Sequence, residues 1–65
     1  MNYQYRVHPT TKYIVYLLKY PYGFTVQVHI IGKPGYPVNQ TFPTLEKAFP
    51  FYERMINEYT EVYGK

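Results

Sequence analysis

Two apolar runs that flank a Pro-Tyr-Gly segment constrain the fold of this chain most. Residues 13–20 and 24–31 are rich in aliphatic and aromatic side chains and contain no acid. Between them, Pro21 presets the first position of a turn and Gly23 adopts positive φ readily. A three-residue hairpin loop, Pro21-Tyr22-Gly23, pairs Tyr20 with Phe24. The two runs are therefore predicted to form an antiparallel hairpin.

This register predicts which side chains of the hairpin share a face. One face is entirely apolar and comprises Ile14, Tyr16, Leu18 and Tyr20 with Phe24, Val26, Val28 and Ile30. The opposite face is mixed and comprises Tyr13, Val15, Leu17 and Lys19 with Thr25, Gln27, His29 and Ile31. We expect the apolar face to be covered and the mixed face to stay open.

A strand is predicted before the hairpin, because residues 2–8 alternate between polar and apolar side chains. Pro9 ends this strand. A five-residue loop would pair Val7 with Tyr13 and expose Tyr3, Tyr5 and Val7. A four-residue loop would pair Val7 with Ile14 and expose Gln4, Arg6 and His8. Both pairings remain open from the sequence.

A short strand or return arm is predicted after the hairpin. Pro34-Gly35 suits the centre of a type II turn. Residues 38–42 follow, and the prolines at 37 and 43 that bracket them favour an edge position.

A helix is predicted over residues 44–63. Thr44 is a suitable N-cap and Gly64 a suitable terminator. Pro50 falls beyond the first turn, so either the helix kinks there or a loose turn at 44–48 precedes a helix that begins near Pro50. Apolar side chains recur at spacings of three and four, at Leu45, Ala48, Phe49, Tyr52, Ile56, Tyr59 and Tyr63, flanked by Met55 and Val62.

These elements predict an α+β fold in one domain, residues 1–65. A three- or four-stranded antiparallel meander, residues 2–42, packs against one C-terminal helix. The 65 residues include no cysteine, so the 10 tyrosines and 4 phenylalanines have to supply much of the core. The N-terminus lacks an apolar segment and no run approaches about 20 apolar residues. We therefore expect a cytoplasmic protein that does not enter a membrane.

The residue inventory argues against an enzyme. Cysteine, serine and aspartate are absent, and the four glutamates all lie on the predicted helix. His8 and His29 have no carboxylate nearby in sequence, so we expect no metal site. Gly32-Lys33-Pro34-Gly35 has too few glycines for a phosphate loop, and no helix follows it. We expect a binding module without a cofactor.

Charge is distributed unevenly along the chain. Four cations and no acid give residues 1–43 a charge of +4, whereas three cations and four glutamates leave −1 for residues 44–65. We expect the open face and its basic rim to bind a partner. The candidate binding residues are Tyr13, Val15, Leu17, Lys19, Thr25, Gln27 and His29, with Arg6, Lys12 and Lys33 at the rim. We expect this partner to be a protein, slightly in preference to DNA. The alternative is a homodimer that buries the open face.

The chain resembles the arm-type DNA-binding domain of phage and transposon integrases. The resemblance lies in three strands followed by a helix, with Phe42, Thr44 and Ala48 at the start of that helix. The resemblance implies that the sheet face binds DNA, which is the alternative function. The family's sheet usually carries more Lys and Arg, and its helix has no counterpart of Pro50. The small size and the composition also resemble bacteriophage accessory proteins. That resemblance implies an inhibitor of a host nucleic-acid-handling protein, of the anti-CRISPR or anti-defence kind, in the host cytoplasm.

Overall fold

The computed structural model describes residues 3–64 and contains one four-stranded antiparallel sheet packed on one helix. The strand order is β1-β2-β3-β4, so each strand lies beside its neighbours in sequence. The α+β prediction is confirmed, with four strands. The elements are β1 Tyr3–Pro9, β2 Tyr13–Tyr20, β3 Gly23–Ile30, β4 Val38–Phe42 and α1 Leu45–Tyr63.

Helix α1 begins and ends at the predicted signals. The Thr44 side chain accepts a hydrogen bond from the backbone N–H of Lys47, and Gly64 donates its backbone N–H to the carbonyl of Thr60. Pro50 lies inside one helix that runs from residue 45 to residue 63. The alternative of a helix that begins near Pro50 is therefore wrong.

The core lies between α1 and one face of the sheet. Three helix residues, Ala48, Tyr52 and Met55, are buried against it. The sheet contributes Tyr13, Val15, Leu17, Val26, Val28 and Ile30. The predicted apolar stripe of the helix is confirmed, except that the flanking Val62 is 72% exposed.

The predicted register of the β2–β3 hairpin is wrong by one residue. Tyr20 pairs with Gly23, so the loop has two residues and Leu17, not Leu18, lies opposite Val26. Gly23 is the first residue of β3 and has a φ of 145°. A Cβ at this position would overlap the carbonyl of Phe42. The glycine is thus required where β3 approaches the end of β4, as well as by the turn.

Both predicted pairings of β1 with β2 are also wrong. Val7 pairs with Tyr16, and β1 continues through Pro9, which pairs with Ile14. The register shifts between Gln4 and Arg6, which leaves Tyr5 as an extra residue in a β-bulge. The bulge breaks the alternation, so Tyr5 and Val7 no longer share a face.

The two edges of the sheet are β1 and β4. The edge position predicted for residues 38–42 is confirmed, with β4 directly after Pro37 and directly before Pro43. Gly35, in the β3–β4 connection, has a φ of 81°, the value that the third position of a type II turn requires. The bulge in β1 and the shortness of β4 both hinder pairing with a further strand.

Candidate interaction surface

The face of the sheet opposite α1, called here the open face, is not covered by any described element. Its side chains are those that alternate with the core residues in each strand. They are Gln4, Val7 and Pro9 in β1, Ile14, Tyr16, Leu18 and Tyr20 in β2, Thr25, Gln27 and His29 in β3, and Asn39 and Thr41 in β4.

One half of the open face is apolar. Five side chains from two adjacent strands form this apolar stripe, namely Val7, Ile14, Tyr16, Leu18 and Tyr20. Val7 is exposed, and the four β2 members are partly exposed. Tyr20 stacks on Tyr22 with ring centroids 5.0 Å apart, and Tyr22 is 66% exposed at the hairpin turn. The stripe therefore extends as far as the end of the hairpin.

The other half of the open face is polar, and its groups bond to one another. Thr25 and Thr41 share a hydrogen bond of 2.9 Å between their hydroxyls, and Gln27 donates to the Asn39 side chain at 3.3 Å. We call these cross-strand pairs the polar ladder. His29 continues it and lies 3.3 Å from the carbonyl of Gly35. Although Thr25 is on this face, it is only 3% exposed and has little surface to offer a partner.

Three of the predicted binding residues lie on the wrong face for that role. Tyr13, Val15 and Leu17 are at most 1% exposed and form the centre of the core beneath α1. The two-residue hairpin loop turns them inward, together with Val26 and Val28. The same shift brings Ile14, Tyr16 and Leu18, predicted to be buried, to the open face.

The predicted basic residues are dispersed. Arg6 and Lys19 lie on the helix side, where Arg6 Cζ is 5.4 Å from the ring centroid of Phe49 and Lys19 Nζ is 4.8 Å from that of Phe24. Lys12 and Lys33 lie in loops at one end of the sheet, where the N–H of Ile31 donates to the carbonyl of Lys12. Among the described residues, the open face therefore carries no Lys, Arg or acid. Of the four predicted cations only Lys12 remains near its rim, because Lys33 lines a groove on the helix side.

A groove lies on the helix side of the sheet. This groove of about 440 Å³ separates the β3–β4 connection from the last turns of α1. We call it the tyrosine groove, since Tyr36, Tyr59 and Tyr63 line it beside Lys33. No pattern in the linear sequence brings these residues together, because the groove depends on how α1 crosses β3.

Two tyrosines on α1 have shifted pKa values. Burial raises the pKa of Tyr52 above its ordinary value of 10.0; the nearby charge of Arg6 opposes this shift, and that of Glu53 adds to it. Burial also raises the pKa of Tyr59, with further contributions from Tyr63 and Glu58. Both hydroxyls therefore stay protonated at neutral pH and are available as hydrogen-bond donors.

The described part of the chain shows no group of three His, Asp or Glu side chains placed to hold a metal ion. Within residues 3–64, no helix is long and apolar enough to span a membrane.

In comparisons with known proteins, no family model, no curated protein and no solved structure matches the chain.

Proposed function

We propose that this chain is a non-enzymatic interaction protein that binds another protein through the open face of its sheet. The observation that carries the proposal is the apolar stripe, where aliphatic and tyrosine side chains from β1 and β2 lie side by side with no described element over them. Contiguous exposed apolar surface of this kind marks interaction sites on small proteins.

The composition of the face favours a protein surface over a nucleic acid. Binding to DNA relies on cations that neutralise phosphates. Two of the four cations expected to serve that purpose, Arg6 and Lys19, lie on the helix side against phenylalanine rings. Tyrosine, in contrast, is enriched at protein interfaces because it offers a large contact area with few rotatable bonds.

The area of the open face indicates how much of it the partner contacts. Strands β2 and β3 have eight residues each, and strands rise about 3.4 Å per residue and lie about 4.8 Å apart. The four-stranded face therefore covers about 500 Å² in projection. Specific interfaces bury about 800 Å² on each partner. The apolar stripe alone is too small, so the partner also contacts the polar ladder and the side chains at the rim.

The rim indicates the charge of the partner. Lys12 lies in a loop beside the open face, whereas Glu46, Glu53, Glu58 and Glu61 are all on α1 behind it. A partner with an apolar centre and an acidic margin would complement this arrangement. More specifically, we propose that the chain is a phage accessory protein and that its partner is a host protein that handles nucleic acid. The size and the composition of the chain support this proposal.

The proposal is tested by capture followed by direct binding. The immobilised chain is exposed to a lysate of its source organism or host, and a captured protein is then purified and titrated by calorimetry. The double variant Tyr16→Ala, Leu18→Ala is expected to weaken binding at least about tenfold, because it truncates the centre of the stripe.

The matched control is Val62→Ala, which shortens an exposed aliphatic side chain on α1. This variant should bind like the wild type, and circular dichroism should show that both variants are folded. Retention of the partner by the double variant would contradict the proposal. A shift of duplex DNA that depends on Tyr16 and Leu18 would replace it with the DNA-binding alternative.

A further inference from the structure

The tyrosine groove lies on the helix side of the sheet, apart from the open face. Its volume of about 440 Å³ falls in the range of small-molecule sites, about 300–1,000 Å³. Its walls are Ile30, Lys33, Tyr36, Tyr59 and Tyr63, together with the prolines at 34 and 37. It therefore combines a large aromatic area with one cation.

Two rings of the aromatic wall are nearly parallel and pack against the core. Tyr59 and Tyr63 lie one turn apart on α1 with their rings nearly parallel, at an interplanar angle of 10° and a centroid distance of 6.0 Å. Tyr13 supports both from the core, at ring distances of 5.7 and 6.0 Å. The Tyr13 hydroxyl shares a hydrogen bond of 2.8 Å with Thr60, which holds the supporting ring in place. A planar ring that stacks here would meet tyrosine rings that already pack against Tyr13.

Charge determines which kind of planar ligand fits. Lys33 is the only charged residue among those that line the groove, and it makes no ion pair with any described residue. A smaller hollow that also contacts Tyr59 and Tyr63 is lined by Glu58 and would repel an anion. An anion is therefore favoured in the tyrosine groove, where Lys33 faces the same space as the tyrosine rings.

We propose that the tyrosine groove binds a nucleotide, with the base stacked on the tyrosines and the phosphate beside Lys33. Aromatic side chains stack any base, and a neighbouring cation pairs with the attached phosphate. A neutral sugar would leave Lys33 without a partner, and an acidic peptide would not use the flat rings. A free mononucleotide and a base within a single strand share this chemistry.

The test is a titration of the ¹⁵N-labelled chain, followed by NMR amide shifts. Adenosine monophosphate is expected to produce saturable shifts at Lys33, Gly35, Tyr36, Tyr59 and Tyr63. Adenosine and inorganic phosphate, each alone, should bind more weakly. A single-stranded thymidine oligonucleotide forms the second arm. Tighter binding of the oligonucleotide identifies a strand as the source, and equal or weaker binding identifies the free nucleotide.

Two variants locate the site. Lys33→Ala should weaken binding by up to about fivefold, the upper end of what an exposed ion pair contributes. Tyr36→Ala, which truncates a side chain that is 52% exposed, should weaken it without unfolding the chain. The control Lys47→Ala removes an equal charge from the first turn of α1 and should change nothing.

Absence of saturable shifts would overturn the inference, as would equal effects of Lys33→Ala and Lys47→Ala. Because the apolar stripe takes no part, the outcome is independent of the partner-binding test.

Discussion

Gly23 has a backbone conformation that other residues adopt only under strain. Its φ is 145°, and a Cβ there would overlap the carbonyl of Phe42. Gly35 also has a positive φ, of 81°, but a Cβ at that position would meet no atom within 4 Å. A side chain at Gly35 would therefore cause backbone strain alone, whereas a side chain at Gly23 would cause strain and a steric clash.

We predict that Gly23→Ala lowers the free energy of unfolding by about 2–4 kcal/mol, from strain and overlap together. Gly35→Ala should cost about 1–2 kcal/mol, from strain alone. Urea unfolding of both variants measures the difference. Equal losses would show that the approach of β3 to Phe42 does not contribute.

The ionisation of Tyr52 makes the stability of the fold depend on pH. It is 5% exposed, and burial raises the pKa of its hydroxyl above 10.0. Folding thus favours the protonated phenol. A group whose pKa is raised in the folded state contributes stability that is fully present below its unfolded pKa and is lost as pH rises through its folded pKa.

The free energy of unfolding is therefore expected to fall as pH rises above about 10. Tyr52→Phe should reduce this dependence, because it removes one of the two tyrosines with a raised pKa. Unfolding measured between pH 8 and pH 11.5 provides the comparison, with Tyr22→Phe at an exposed position as the control. An identical pH dependence in Tyr52→Phe would contradict the assignment.

Strand β2 is apolar on both faces. For this reason the register of the β2–β3 hairpin could not be predicted from the sequence. Leu17 is fully buried beneath α1, whereas Leu18 is partly exposed on the open face. Both registers of the hairpin give β2 an apolar inner face, so the hydrophobic pattern does not choose between them. The length of the turn makes the choice, and it has two residues instead of three.

Adjacent leucines in β2 test this register. Leu17→Ala should destabilise the fold by about 2–5 kcal/mol, as truncation of a core leucine does. Leu18→Ala should cost about 1 kcal/mol or less, because its side chain already meets solvent. Thermal unfolding of the two variants gives the comparison. A larger loss of stability for Leu18→Ala than for Leu17→Ala would favour the three-residue loop instead.

Helix α1 shows tertiary packing outweighing local propensity. A proline inside a helix costs about 3 kcal/mol. Tyr52 and Met55, which follow Pro50, are both buried, and each such side chain contributes about 1.5–3 kcal/mol. Together with Ala48 before Pro50, they anchor the helix to the sheet on both sides of the proline, while Pro50 itself is exposed. One helix across Pro50 is therefore favoured over two shorter segments.

At the scale of the whole molecule, charge is separated between the two layers. All four glutamates lie on α1, while the sheet and its loops carry cations and no acid among the described residues. Two copies that met through their open faces would repel each other, because each copy has a net charge of +3. This repulsion disfavours a homodimer at low salt.

The isolated chain is accordingly predicted to be a monomer of 7.8 kDa. Light scattering after size-exclusion chromatography, at low and at high salt, measures the mass. A stable mass of twice that value at low salt, lost in Tyr16→Ala, Leu18→Ala, would show that a second copy covers the open face.

The sequence by itself determined the order of the elements, both ends of α1, the position of β4 and the inner face of β3. Strand β3 alternates strictly between aliphatic or aromatic and polar side chains, so Thr25, Gln27 and His29 were assigned to the correct face. Only the tertiary structure decided the face of β2 and the bulge at Tyr5. An apolar strand satisfies the core in either orientation, and the choice depends on a turn and on contacts between β1, β2 and α1 that no local pattern encodes.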